Sequence, residues 1–136
     1  MSMKLRIVCP ENCAFDGDCG FVVVPTTTGE LGILSSHACE ISTTARGYVR
    51  VSDAIGQEPS HVIAVESGYV QIADDTIIIL VERALDMAEL KRNEVEAKRS
   101  EFEEQLQNLS QDDAHRAYIY NEIAWCNLLL ESNQAA

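Results

Sequence analysis

The hydrophobic period of this 136-residue chain changes at residues 84–87, and that change dictates its architecture. Before it, apolar residues alternate with polar ones or gather in short β-branched runs. KLRIVC sets Leu5, Ile7 and Cys9 against Lys4 and Arg6, and GFVVVP is a β-branched run stopped by Pro25. A period of two puts every second side chain on one face of a strand. CEISTTA and GYVRVS flank a turn at Arg46-Gly47; HVIAVE, GYVQIA and TIIILVE follow, separated at Ser67-Gly68 and at Asp74-Asp75. Aspartates hydrogen-bond their own backbone and tolerate tight turns, so the last two strands read as a hairpin. No helical stretch separates these strands, which excludes a doubly wound parallel sheet and predicts an antiparallel sandwich.

After the change the period is helical. Residues 87–109 hold no Gly or Pro, and Leu90, Val95, Phe102, Leu106 and Leu109 fall on one stripe at 100° per residue. NLSQDDA breaks this helix, and Ser110 with Asp113 makes an S-x-x-D start for a second one over roughly residues 111–132. That helix carries Tyr118, Ile119, Tyr120, Ile123, Trp125, Leu128, Leu129 and Leu130 around most of its circumference. One partner helix cannot cover so much apolar surface, so it meets the sandwich, another subunit or a copy of itself. The expected class is therefore α+β. An antiparallel β-sandwich of about ten short strands spans residues 1–85, and an antiparallel two-helix hairpin spans 86–136.

Charge narrows the function. With 22 acids against 10 bases, the net charge of −12 repels phosphate backbones and anionic lipid headgroups. Nucleic acid is excluded as a partner, and basic protein surfaces are favoured. No segment reaches the roughly 18 apolar residues of a spanning helix, and MSMKLRIVCPENC has no long apolar run before a small-residue cleavage site. The five cysteines are then reduced thiols. Their spacing fits no common zinc pattern, so no metal site is expected. No nucleophile elbow, phosphate loop or H-x-x-x-H occurs, and His37, His61 and His115 lie far apart in sequence. Nothing assembles an acid, a base and a nucleophile, so an enzyme acting alone is not expected.

The stretch TTTGELGILSSHACE, residues 26–40, is the clearest contact element. Gly29 and Gly32 suit a tight exposed turn that presents Glu30 and Leu31 outward, with Ile33 and Leu34 anchoring it in the sandwich. His37, with no catalytic partner in sight, reads as a hydrogen-bonding residue that shapes the loop.

These segments resemble the epsilon subunit family of F-type ATP synthases. IVCPE at 7–11 matches the family's first strand, FDG at 15–17 its Phe-x-Gly turn, and SGYVQI at 67–72 a later strand. TIIILVERA corresponds to the exit from the sandwich, and GELGILSSHAC at 29–39 to a loop commonly read Gly-Glu-Leu-Gly-Ile/Val-Leu-Pro-Gly-His-Ala-Pro. Ser35-Ser36 replace Pro-Gly, Cys39 replaces the second Pro, and Ala45-Arg46-Gly47 replaces Lys-Pro-Gly. Losing these prolines is expected to loosen the loop.

The resemblance implies a non-catalytic central-stalk subunit whose sandwich binds the gamma subunit and the polar loops of the c-ring. It would turn with both and couple ion flow to ATP synthesis. It places Gly29, Glu30, Leu31, Gly32, Ile33 and His37 at the c-ring and gamma contact. It also implies a regulatory hairpin, carried by Tyr118, Ile123, Trp125 and Leu129, that folds down or reaches the alpha and beta subunits and inhibits hydrolysis. Inhibitory hairpins carry bases on the second helix; residues 111–136 offer Arg116 alone, so weak inhibition is expected. Some relatives bind ATP through Ile/Leu-Asp-x-x-Arg-Ala. Here Leu85-Asp86 begins that segment but Glu89 takes the Arg position, leaving Asp86, Arg92 and Arg99 as nucleotide candidates and no cofactor expected. The implied location is peripheral, through protein contacts, on the cytoplasmic face of a bacterial inner membrane or on an organellar energy-transducing membrane. An ATP-sensing module and a free-standing protein-interaction adaptor are the alternatives.

Overall fold

Alternation along the strands becomes an apolar core. Met3, Leu5 and Ile7, then Val22 and Val24, Val49 and Val51, Ile63 and Val65, Val70 and Ile72, and Ile77 and Ile79 are all buried. Most are β-branched, the side chains that pack best on a pleated surface. The computed structural model describes residues 2–131 and divides into two units, one running to Ala88 and the other from Glu89.

The first unit has ten strands: β1 Met3–Val8, β2 Cys13–Cys19, β3 Phe21–Thr26, β4 Gly29–Leu34, β5 Glu40–Thr44, β6 Gly47–Ser52, β7 His61–Val65, β8 Gly68–Ala73, β9 Thr76–Val81 and β10 Ala84–Asp86. They form one sheet in the order β10-β7-β6-β3-β5-β8-β9-β1-β2, with β4 paired to β3. The sheet curls over on itself as a sandwich. The Phe15 ring on β2 meets His61 on β7 edge-on, 5.1 Å between centroids, although these strands stand near opposite ends of the order.

Pairing is antiparallel with one exception. β1 runs parallel to β9, Lys4 opposite Thr76 through Val8 opposite Leu80. Asp74 and Asp75 form the two-residue turn between β8 and β9. Both have positive φ, 52° and 58°, the conformation a two-residue hairpin needs at both positions. Gly68 opens β8 where a Cβ would run into the carbonyl of Leu80, so only glycine fits.

The second unit is α1 Arg92–Gln107 and α2 His115–Glu131. Both helices start later than the sequence predicts. A short 3-10 turn, Met87–Glu89, precedes α1. Asp86 Oδ1 accepts the Ala88 N–H at 3.0 Å, and a side chain bonded to the backbone two residues on favours a turn over a helix. Asp113 rather than Ser110 caps α2, accepting the His115 N–H at 2.9 Å. Residue 132, the expected end of that helix, lies outside the described residues. Val95, Phe102, Leu106 and Leu109 are half-buried, as the stripe requires, while Ile119, Trp125, Cys126 and Leu129 are buried on α2.

Candidate functional site

The segment from Gly29 to Leu34, read from sequence as a turn, is a strand. It pairs with β3 along its whole length, from Phe21 opposite Leu34 to Thr26 opposite Gly29. The turn itself is Thr27-Thr28, where Thr26 Oγ1 donates to the Gly29 carbonyl at 2.5 Å. Five residue steps at about 3.3 Å put roughly 16 Å between Gly29 and Leu34. Glu30 and His37 therefore belong to opposite ends of the sandwich and cannot form one tip.

Along β4 the pleat decides which side chains face out. Ile33 is fully buried and holds the strand to the core, so it has no surface to offer a partner. Leu31 packs half-buried against the same core instead of pointing outward, and Leu34, expected as an anchor, is exposed. Both differences have one cause: adjacent residues of a strand point to opposite faces, so Ile33 and Leu34 cannot both face inward. Gly32 lies under the Phe21 ring, which covers the backbone that the glycine leaves bare. Glu30 is exposed and pairs with Arg50 Nη1 on β6 at 2.7 Å, the guanidinium lying over Tyr48 at 5.8 Å.

At the far end His37 is a shaping residue. Its backbone N–H donates to the Leu34 carbonyl at 3.2 Å, and its Nε2 lies 3.2 Å from Glu40 Oε1. Ser42 Oγ donates to the other carboxylate oxygen at 2.6 Å. The Ser42 hydroxyl first, and His37 second, hold the Glu40 carboxyl below its ordinary range. Ser36 adopts φ 68°, and its N–H is held by Asp75 of the β8–β9 turn at 2.6 Å. The loop without its prolines is tied by these hydrogen bonds.

Beyond β4 the outer face of β5, β8 and β9 carries an apolar strip that sequence reasoning missed. Ile41 is 71% exposed, Tyr69 58% and Leu80 48%. The register sets Ile41 opposite Gln71, and Tyr69 between Thr43 and Leu80, so the three share one face. A shallow groove of about 320 Å³ lined by Val8, Pro10, Tyr69 and Leu80 continues it. Alternation written on both faces at once, apolar outside as well as in, was the signal.

Three turns at the Gly29 end converge on Glu66. This carboxylate is only 8% exposed, and Arg46 and Arg83 clamp it. Arg46 donates from Nε to Oε1, and Arg83 Nη2 lies 3.3 Å from Oε2. The Glu66 N–H also donates to the Arg83 carbonyl at 3.0 Å.

The nucleotide candidates are occupied within their own units. Asp86 serves the 3-10 turn, Arg92 Nη1 donates to the Leu130 carbonyl at 3.0 Å, and Arg99 Nη1 donates to Asn127 Oδ1 at 3.0 Å. Of the hairpin candidates, Tyr118 is exposed, Ile123 half-buried, and Trp125 and Leu129 buried. Among the described residues no group of His, Cys, Asp or Glu could hold a metal ion, and no helix is long and apolar enough to cross a membrane.

Residues 2–87, the whole of the first unit's sheet, match the family model described as ATP synthase, Delta/Epsilon chain, beta-sandwich domain. The ATP synthase epsilon chain of a Synechococcus species is 32% identical over 104 residues, 76% of this chain and 75% of that one. The epsilon chain of Gloeothece citriformis is 29% identical over 125 residues, 92% and 88% of the two chains. Among solved structures, a chain from the Euglena gracilis mitochondrial ATP synthase, OSCP/F1/c-ring in rotational state 1, shares the fold. It has a TM-score of 0.73 at 18% identity, over 95% of this chain and 79% of that one.

Proposed function

Because the chain belongs to the ATP synthase delta/epsilon family, we propose that it is the epsilon subunit of a rotary ATP synthase, a non-catalytic part of the central stalk. The family match across the whole sandwich carries this reading. The relatives are named as epsilon chains over most of their length, and a structural relative comes from an assembly described as central stalk and c-ring.

The geometry supports two separate contacts. Gly29 and Glu30, beside the Thr27-Thr28 turn, meet the polar loops of the c-ring. Their charge is already balanced by Arg50, so they suit a polar, near-neutral surface. The strip of Ile41, Tyr69 and Leu80 is the natural gamma face, since an exposed apolar area of this kind is stabilised by being covered. The subunit is then held at the membrane by protein contacts only, on the cytoplasmic face of a bacterial inner membrane or the equivalent face of an organellar one. The hairpin is regulatory but a weak brake: Arg116, the one base of residues 111–136, is taken up inside the hairpin. No regulatory nucleotide is needed, because the guanidiniums of Arg92 and Arg99 serve α2.

Cysteine placed at Glu30 and, separately, at Tyr69 tests the assignment in the reconstituted complex, in a background freed of the native cysteines. Crosslinks from position 30 to the c-ring and from position 69 to gamma are expected. Failure of either position to reach gamma or the c-ring overturns the rotor reading. Calorimetry of the whole chain with millimolar ATP should show no heat of binding.

A further inference from the structure

The two helices are tied at both ends by guanidinium groups reaching from one to the other. Arg92, in the first turn of α1, donates to the Leu130 carbonyl in the last turn of α2 at 3.0 Å. Two turns further along α1, Arg99 donates to Asn127 at 3.0 Å and lies 3.7 Å from Glu103. At the opposite end Arg116, in the first turn of α2, donates from Nη1 to the carbonyls of Leu106 at 3.2 Å and Leu109 at 3.3 Å, where α1 ends. Its Nη2 reaches the Tyr120 hydroxyl at 3.1 Å, and the guanidinium lies over that ring at 5.6 Å.

The last four carbonyls of a helix have no intrahelical partner, and they carry the negative end of its dipole. A planar guanidinium with several donors suits them better than any other side chain. In an antiparallel pair the first turn of each helix lies beside the last turn of the other, so each C-terminus here is served by an arginine of its neighbour. On α1 the apolar contribution is partial, while Ile119, Trp125, Cys126 and Leu129 of α2 are buried. Among the described residues of α1 none is fully buried, and Val95, Phe102 and Leu106 are half-covered.

We propose that Arg92, Arg99 and Arg116 form a reciprocal latch that keeps the hairpin closed as its working state. Parting the helices takes the arginine donors away from the carbonyls of Leu106, Leu109 and Leu130. The closed state also withholds its one base beyond residue 110, so a partner meeting the second helix finds exposed Tyr118 and Tyr120 beside Asp112 and Asp113. The latch itself stands on the hairpin's geometry. Its bearing on hydrolysis rests on the regulatory reading above: a brake that acts must act without opening.

Hydrogen–deuterium exchange on the full chain tests it, with an Arg92→Gln/Arg99→Gln double variant and an Arg116→Gln variant acting at opposite ends. Amides of α1 and α2 should exchange at least about five-fold faster in both variants, the scale set by losing charge-assisted hydrogen bonds. Amides of β8 and β9, in the other unit, should keep their rates and certify that the variants are folded. Arg116→Lys, a point donor in place of a fork, should restore only part of the protection. Unchanged exchange in both helices overturns the latch. Hydrolysis by the reconstituted enzyme is read separately. Faster exchange with no change in hydrolysis keeps the latch and removes the regulatory reading instead.

Discussion

The Ser36 N–H donates to Asp75 Oδ1 at 2.6 Å, joining two turns that lie 39 residues apart in sequence. Both residues are left-handed, Ser36 at φ 68° and Asp75 at φ 58°. Left-handed backbone costs a non-glycine residue about 1–2 kcal/mol, so this bond holds Ser36 where a glycine would sit without strain. Asp75→Ala should lower stability by about 1–2 kcal/mol, the scale of losing a charged hydrogen-bond acceptor. Asp75→Asn keeps an acceptor and should cost less, and Ser36→Gly should stabilise by about 0.5–1 kcal/mol. Denaturant unfolding measures all three; a neutral Asp75→Ala removes the proposed tie.

Glu66 gives the largest expected loss. Its carboxylate is buried between Arg46 and Arg83, and removing it takes away the negative charge that balances two guanidiniums. Glu66→Ala should destabilise the sandwich by about 3–5 kcal/mol, the range for breaking a buried pair from one side. A loss under about 1 kcal/mol, ordinary for exposed pairs, would show that water already satisfies this site.

The Glu40 carboxyl titrates below its ordinary value of 4.5 because Ser42 and His37 bond its charged form. The sign follows from linkage: a depressed carboxylate adds stability that is present above the ordinary value and lost as pH falls through the folded one. The Glu40 side-chain carboxyl carbon, followed by NMR, should therefore titrate with a midpoint below 4.5. Glu40→Gln should abolish that low-pH transition. A midpoint at or above 4.5 in the folded chain would refute the assignment.

The five thiols should differ sharply in reactivity. Cys19 and Cys126 are buried, and burial pushes the Cys19 and Cys9 thiols up, away from the reactive thiolate. Cys13 and Cys39 are exposed. Alkylation at neutral pH followed by mass spectrometry should label Cys13 and Cys39 first, with Cys19 at least tenfold slower.

Truncation before Glu89, where the two units divide, should leave a folded sandwich. ATP hydrolysis by the assembled enzyme should change less than about two-fold, a free-energy effect below roughly 0.5 kcal/mol. A several-fold rise would show that the hairpin brakes strongly although Arg116 is engaged within it.

Period told most of this fold in advance. β6, β8 and β9 begin where the alternation of Gly47-Tyr48-Val49, Gly68-Tyr69-Val70 and Thr76-Ile77-Ile78 says they should. β2 was invisible because Cys13–Cys19 has no apolar rhythm; it stands at the end of the strand order, and only Cys19 is fully buried. β4 was hidden by its glycines, which suggest a turn unless the facing strand is known. The site was harder still. Arg46, Glu66 and Arg83 are 17 and 20 residues apart, and only the stacking of three turns brings them together. The arginines of the hairpin read as free charges in sequence, because the carbonyls that they serve leave no mark on it.

The parallel pairing of β1 with β9 has a consequence for how the molecule comes into being. During synthesis β1 finds one neighbour soon in β2, but its other, opposite Thr76 to Leu80, is made some seventy residues later. Closure of so long a loop is slow, and topologies dominated by such distant pairings fold on the millisecond-to-second scale. Leu5 and Ile7 therefore wait, apolar and half-paired, until nearly all of the sandwich exists. The local α1–α2 hairpin can form within microseconds of its own synthesis. Nascent-chain proteolysis should find residues 1–75 open and residues 1–88 protected once clear of the tunnel, which makes β9 the strand that joins β1 to the rest of the sheet.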